Sequence, residues 1–233
     1  MSSKSHSTYP SQSAAKGTRK KLAAAALLAA AALTLTACGG GDDKKPAAEV
    51  SVETDSGKAA TVLDRPYKKP DLVLKDTHGK KYDLRKETAG KPTLIYFGYT
   101  HCPDVCPLTM NNIAAAKQRT LSKADQKKLK VVFVTTDPGR DTPAELGKWL
   151  KGVDADFVGL TGDFATIQAG ARQLAISVEP SKKDKKGKIV SMHGTQVIAF
   201  SPKNDAGYVI YNDKATADDY AKDLPKLLKG QNP

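Results

Sequence analysis

Two cysteines and one histidine carry the chemistry legible in this chain. Cys102-Pro103-Asp104-Val105-Cys106-Pro107 follows an apolar run and opens a helical pattern. Residues four apart on a helix share a face, about 5 to 6 Å between Cβ atoms, so the two sulfurs can converge on one ion or bond to each other. Unpaired amides and the positive end of the helix dipole favour thiolate there, and thiolate is both the nucleophile and the metal-binding form. The alternative, a disulfide or two thiols that merely pack, has little to recommend it, because so short a loop constrains little of the unfolded chain.

Two thiolates do redox exchange or hold a soft metal, and the second task needs another donor. Of the four histidines, His6 lies in the basic N-terminus and His78 in a turn. His101 adjoins Cys102 but leaves its strand in another direction. His193, in Ser191-Met192-His193-Gly194-Thr195, stands just before a late apolar strand and is the candidate third donor. On the residues alone, a histidine that is exposed or only hydrogen-bonded remains the alternative.

The elements that must position these residues follow from pattern. Asp71-Leu72-Val73-Leu74 and Lys80-Lys81-Tyr82-Asp83-Leu84 flank a turn cluster and predict a hairpin. Pro92 opens Thr93–Tyr99, a near-continuous apolar run that reads as a strand buried on both faces. Val105, Leu108, Thr109, Ile113 and Ala116 recur at helical spacing, with Pro103 placed as a first-turn proline. Val131–Val134 is a second buried strand ending at Asp137-Pro138-Gly139. Thr142-Pro143-Ala144-Glu145 has a capping-box arrangement and predicts a helix through Trp149. Phe157–Leu160 reads as a strand, Phe164–Leu174 as a helix, Val197–Phe200 and Tyr208–Tyr211 as a strand pair, and Tyr220–Leu228 as a closing helix. This order suits an α/β fold, a mixed central sheet with helices on both faces and an N-terminal β-hairpin.

Gly98-Tyr99-Thr100-His101-Cys102-Pro103-Asp104-Val105-Cys106-Pro107, then Thr136-Asp137-Pro138-Gly139-Arg140-Asp141-Thr142-Pro143, then a histidine before a late strand, resembles the Sco (SenC) family over about Pro70 to Leu228. The resemblance implies a thioredoxin-like fold and copper, as Cu(I), Cu(II) or both, bound by Cys102, Cys106 and His193. It implies a metallochaperone, not an enzyme, whose partner is the cytochrome c oxidase subunit carrying the binuclear copper centre. Outside the membrane Cys102 and Cys106 tend toward a redox disulfide, so a thiol reductant is expected as a second partner. The rival is a thiol-disulfide oxidoreductase with Cys102 as attacking thiol. Against it, oxidoreductases of the thioredoxin superfamily usually carry a cis-proline facing the cysteines, and no proline occurs between Ser181 and Ser201. Structural zinc wants four protein ligands and three are visible. Asp137 matches a carboxylate common near the family's site, either orienting His193, supplying a weak ligand or forming a turn. Arg140 and Asp141 are expected to fix that loop. Met192 replaces an acidic residue and is expected to pack on the face opposite His193.

The N-terminus reads as an address. Lys4, Lys16, Arg19, Lys20 and Lys21 precede an uncharged stretch from Leu22 to Ala37, and no acid occurs before Asp42. The stretch is shorter than the roughly 20 residues that span a bilayer, and Leu35-Thr36-Ala37-Cys38 resembles a bacterial lipobox. A signal peptide over 1–37, lipidation of Cys38 and a cell-membrane, extracytoplasmic location are implied; a transmembrane anchor is the alternative. Residues 38–69 read as a flexible linker reaching roughly 30 Å, and 70–233 as the folded domain. Of 37 Lys and Arg, removing those five leaves 32 against 25 acids, a net charge of +7 rather than +12. The remainder is scattered except for Lys182-Lys183-Asp184-Lys185-Lys186-Gly187-Lys188, read as a solvated hairpin tip with a docking patch for an acidic partner as the alternative, so no nucleic-acid partner is expected.

Overall fold

The strand Thr93–Gly98 is buried along its whole length. In a strand, successive side chains go to opposite faces, so this one must be covered on both sides. Leu94 and Tyr96 join a core with Met110, Ile113, Leu146, Tyr220 and Leu224, while Ile95 and Phe97 join a second core with Leu72, Leu84, Ile167 and Ala171. The computed structural model describes residues 58–185, 187 and 189–233.

In chain order the elements are β1 (Ala60–Lys68), β2 (Val73–Asp76), β3 (Lys81–Asp83), α1 (Leu84–Glu87), β4 (Thr93–Gly98), α2 (Val105–Thr120), α3 (Lys123–Lys128), β5 (Lys130–Thr135), α4 (Pro143–Lys151), β6 (Val158–Thr161), α5 (Phe164–Arg172), β7 (Lys182–Lys183), β8 (Ile189–Val190), β9 (Val197–Phe200), β10 (Ala206–Tyr211) and α6 (Ala217–Leu227). The main sheet runs β1-β10-β9-β4-β5-β6-β2-β3. β4, β5 and β6 are parallel, and β9 lies antiparallel to β4. Helices α2, α4 and α6 supply one core and α5 the other, the mixed sheet of a thioredoxin-like fold.

Two expectations are corrected. The linker does not extend to Lys69, because β1 pairs antiparallel with β10 within that stretch. Its largely exposed residues and the register break between Val62 and Tyr67, around Asp64-Arg65-Pro66, are those of an edge strand, and they disguise it as coil. The hairpin β2–β3 forms as expected but follows β1 and sits at the far edge beside β6. Helix α2 starts at Val105 with Asp104 as N-cap, so Cys102 precedes the helix, and the first-turn proline is Pro107, not Pro103. Pro107 costs nothing there because the first four helical amides have no intrahelical acceptor. The leader, Cys38 and the linker as far as Gly57 lie outside the described residues.

Candidate metal centre

Sheet register brings the three residues together. Tyr96 on β4 pairs with Val197 on β9. Thr100 lies four residues after Tyr96, and His193 four before Val197, so the antiparallel run carries the histidine to the sheet end where the cysteine loop begins. That is the carboxyl end of the parallel strands, where open α/β sheets bind their ligands. The histidine segment is fastened on its other side by the Val178–His193 bridge, by the Glu179 amide donating to Met192 O at 3.0 Å and by the Gly194 amide donating to Ser177 O at 2.9 Å.

Sγ of Cys102, Sγ of Cys106 and a ring nitrogen of His193 lie within 4.8 Å of one another. Donors about 2.3 Å from one ion stand about 4 Å apart around it, so small shifts suffice to close this set on a metal. His193 Nδ1 donates to Gly194 O at 2.9 Å, which leaves the Nε2 lone pair facing Cys106 Sγ at 3.5 Å. Burial lowers the His193 pKa and keeps the imidazole neutral, the form that coordinates metal. Tyr96 and Tyr99 meet the imidazole edge-on at 6.1 and 5.5 Å between centroids, fixing its plane.

The cysteines have different surroundings. Cys106 is fully buried, and the loss of hydration pushes its thiol up to about 12, so the helix start does not make it a thiolate as its position suggested. The Tyr96 hydroxyl donates to its sulfur at 3.4 Å. Cys102 is partly exposed, and its sulfur accepts the Cys106 amide at 3.5 Å, one of the free donors of the helix start. Both are free thiols. Room for the Cys106 sulfur comes from Gly98: a Cβ there would stand 3.0 Å from Sγ, 2.8 Å from the Tyr96 ring and 3.0 Å from the Phe133 ring.

Asp137 supplies no donor to this cluster. Its carboxylate takes the Arg140 guanidinium, which lies 6.0 Å from the centroid of the Tyr99 ring. Nor does it orient His193, whose Nδ1 is held by Gly194. Asp141 is the loop fastener that was expected. Fully buried, it accepts from the Thr100 amide at 2.9 Å, the Thr100 hydroxyl at 2.6 Å and the Thr135 hydroxyl at 2.6 Å, tying the cysteine loop to the end of β5. His101 is exposed, its Nδ1 3.0 Å from the Thr100 hydroxyl, and stays outside the cluster. Met192 does not pack as expected: it is 71% exposed. Sequence reasoning passed over Tyr96 and Tyr99. Strand alternation from Leu94 would have placed Tyr96 on the α2 face, beside the cysteines.

A thioredoxin-like sheet with two cysteines at the start of a helix and a histidine converging on them defines a thiol-rich domain built to hold a soft metal ion. The SCO1/SenC family model matches residues 62–229. The structure of Bradyrhizobium japonicum ScoI with copper bound is 32% identical, covers 70% of this chain and 98% of its own, and superposes with a TM-score of 0.59. The apo Sco1 protein of Thermus thermophilus is 26% identical, covers 73% and 96%, and gives a TM-score of 0.63. Protein sco1 of Schizosaccharomyces pombe is 30% identical over 139 residues, 57% of this chain, which spans about half (52%) of that relative. The chain belongs to the SCO1/SenC family.

Proposed function

We propose that this protein is an extracytoplasmic copper metallochaperone, tethered to the membrane by lipid on Cys38. It holds copper on Cys102, Cys106 and His193 and passes it by ligand exchange to the binuclear copper centre of a cytochrome c oxidase subunit. The observation that carries the reading is the convergence of two sulfurs and a freed imidazole nitrogen within 4.8 Å. Two thiolates and one imidazole form a soft, low-coordinate set suited to Cu(I), or to Cu(II) with a further oxygen donor. The copper held by the Bradyrhizobium relative supports the same cargo here. Asp137 enters as a support, through Arg140 and the Tyr99 ring that flanks His193. No helix among the described residues is long and apolar enough to cross a membrane; Cys38, the proposed point of attachment, lies outside them.

One observation favours a second reading. The Cys102 sulfur is partly exposed and receives a helix-start amide, the geometry of an attacking thiol, so reduction of the oxidase cysteines by Cys102 and Cys106 is the competing role. Cells carrying His193→Ala separate the two. Loss of copper binding together with loss of assembled oxidase is expected from metal delivery. Assembly that survives His193→Ala yet fails with Cys102→Ser or Cys106→Ser overturns it in favour of thiol exchange.

A further inference from the structure

Tyr96 touches two of the three donors and was passed over in the sequence. Its hydroxyl donates to Cys106 Sγ at 3.4 Å, and its ring stands edge-on to His193 with 6.1 Å between centroids and an interplanar angle of 89°. Thr109, one helical turn beyond Cys106, is the phenol's other polar neighbour. Tyr96 cannot be a casual neighbour: it is 1% exposed, packed against Phe133 at 5.9 Å and confined by the tight approach to Gly98. Cys102 has a phenol near it as well, that of Tyr99, but Cys102 is partly exposed whereas Cys106 is fully buried.

We propose that Tyr96 is the positioning residue that makes Cys106 the retained sulfur, leaving Cys102 as the ligand through which copper is exchanged. The inference rests on the copper reading for its consequence, though not for its geometry. The hydrogen bond and the tight seat at Gly98 hold the buried Cys106 sulfur in one place, so it is the slower of the two to leave a bound metal. The bond made to the reduced sulfur also favours the unbound pair in its reduced, ligating form. At hand-off an incoming thiol replaces Cys102 on the metal, and its proton passes to the departing Cys102 sulfur, so charge and protons balance. Cys106 and His193 keep hold until the acceptor is engaged.

Tyr96→Phe removes one oxygen and keeps the packing; Tyr208→Phe, which loses a hydroxyl bonded to Asn204 rather than to a ligand, serves as the control. In the purified metal-free protein, equilibrium with glutathione consumes two glutathiones per protein disulfide reduced and yields one glutathione disulfide. Loss of one net hydrogen bond to the reduced sulfur moves that equilibrium about 2- to 10-fold toward the protein disulfide in Tyr96→Phe and leaves Tyr208→Phe unchanged. With copper bound, the sulfur-to-copper(II) charge-transfer band of Tyr96→Phe moves to longer wavelength, and release of Cu(I) to bathocuproine disulfonate speeds up several-fold at an unaltered unfolding midpoint. An unmoved glutathione equilibrium, or an equal shift in Tyr208→Phe, overturns the role of Tyr96. Absence of copper binding in the unmodified protein overturns the metallochaperone reading instead, and the metal-free measurement still decides Tyr96.

Discussion

The Cys106 sulfur occupies the space that a side chain on Gly98 would take, 3.0 Å from the position of its Cβ. The glycine ending β4 is therefore part of the site, although it carries no donor. Gly98→Ala forces apart Tyr96, Phe133 and Cys106, and overpacking of this kind costs about 1–3 kcal/mol. Denaturant unfolding checks the stability loss. Copper titration of the same variant is expected to show weakened binding, because the displaced atom is a ligand.

Asp141 holds the cysteine loop with three donors on one buried carboxylate. Asp141→Ala leaves the Thr100 amide and two hydroxyls short of an acceptor, at about 1–3 kcal/mol for each buried group left unpaired. A fall in unfolding free energy of about 3 kcal/mol or more is expected, with weaker copper binding as Thr100 and the adjoining loop come free. Asp141→Asn, which retains one carbonyl acceptor, should recover part of both.

The site has opposite pH sensitivities at its two ends. Burial raises the Cys106 thiol from its ordinary 9.0 to about 12. Between those values the folded chain keeps a proton that the unfolded chain releases, so the stability contributed below pH 9 is lost as pH climbs toward 12. Because binding must expel that proton, apparent copper affinity should rise at least about tenfold per pH unit below this range, as measured by competition titration. His193 behaves in the reverse sense. Its pKa lies below 6.5, so its contribution is complete above that value and is lost as pH falls through its folded pKa.

Met192 tests the reading that soft donors matter only where they converge. Its side chain is exposed and stands outside the converging donors. Met192→Ala should leave copper affinity within about twofold by the same competition titration, a change no larger than surface substitutions give.

Much of the site was legible because chemistry needs particular residue types: two sulfurs beside a strand end, and one imidazole before another strand. β4 and β5 were legible because strands covered on both faces are apolar throughout. β1 was hidden because an edge strand needs few apolar residues and this one contains Asp64-Arg65-Pro66. The six-residue α3 has no apolar stripe to betray it and is announced only by its Ser122 cap. The proton state of Cys106 could not be read from its place in the helix, because complete burial outweighs the dipole and appears only once the cores are assembled. The place of Met192 likewise depended on whether anything covered it, which local alternation does not determine.

X-ray absorption at the copper edge, recorded on the Cu(I)-loaded reduced protein and on His193→Ala, counts the ligands on the ion. Two sulfurs and one nitrogen in the unmodified chain, with the nitrogen lost and affinity lowered in the variant, are expected from the convergence of Cys102, Cys106 and His193. An all-sulfur environment that His193→Ala leaves unchanged contradicts it.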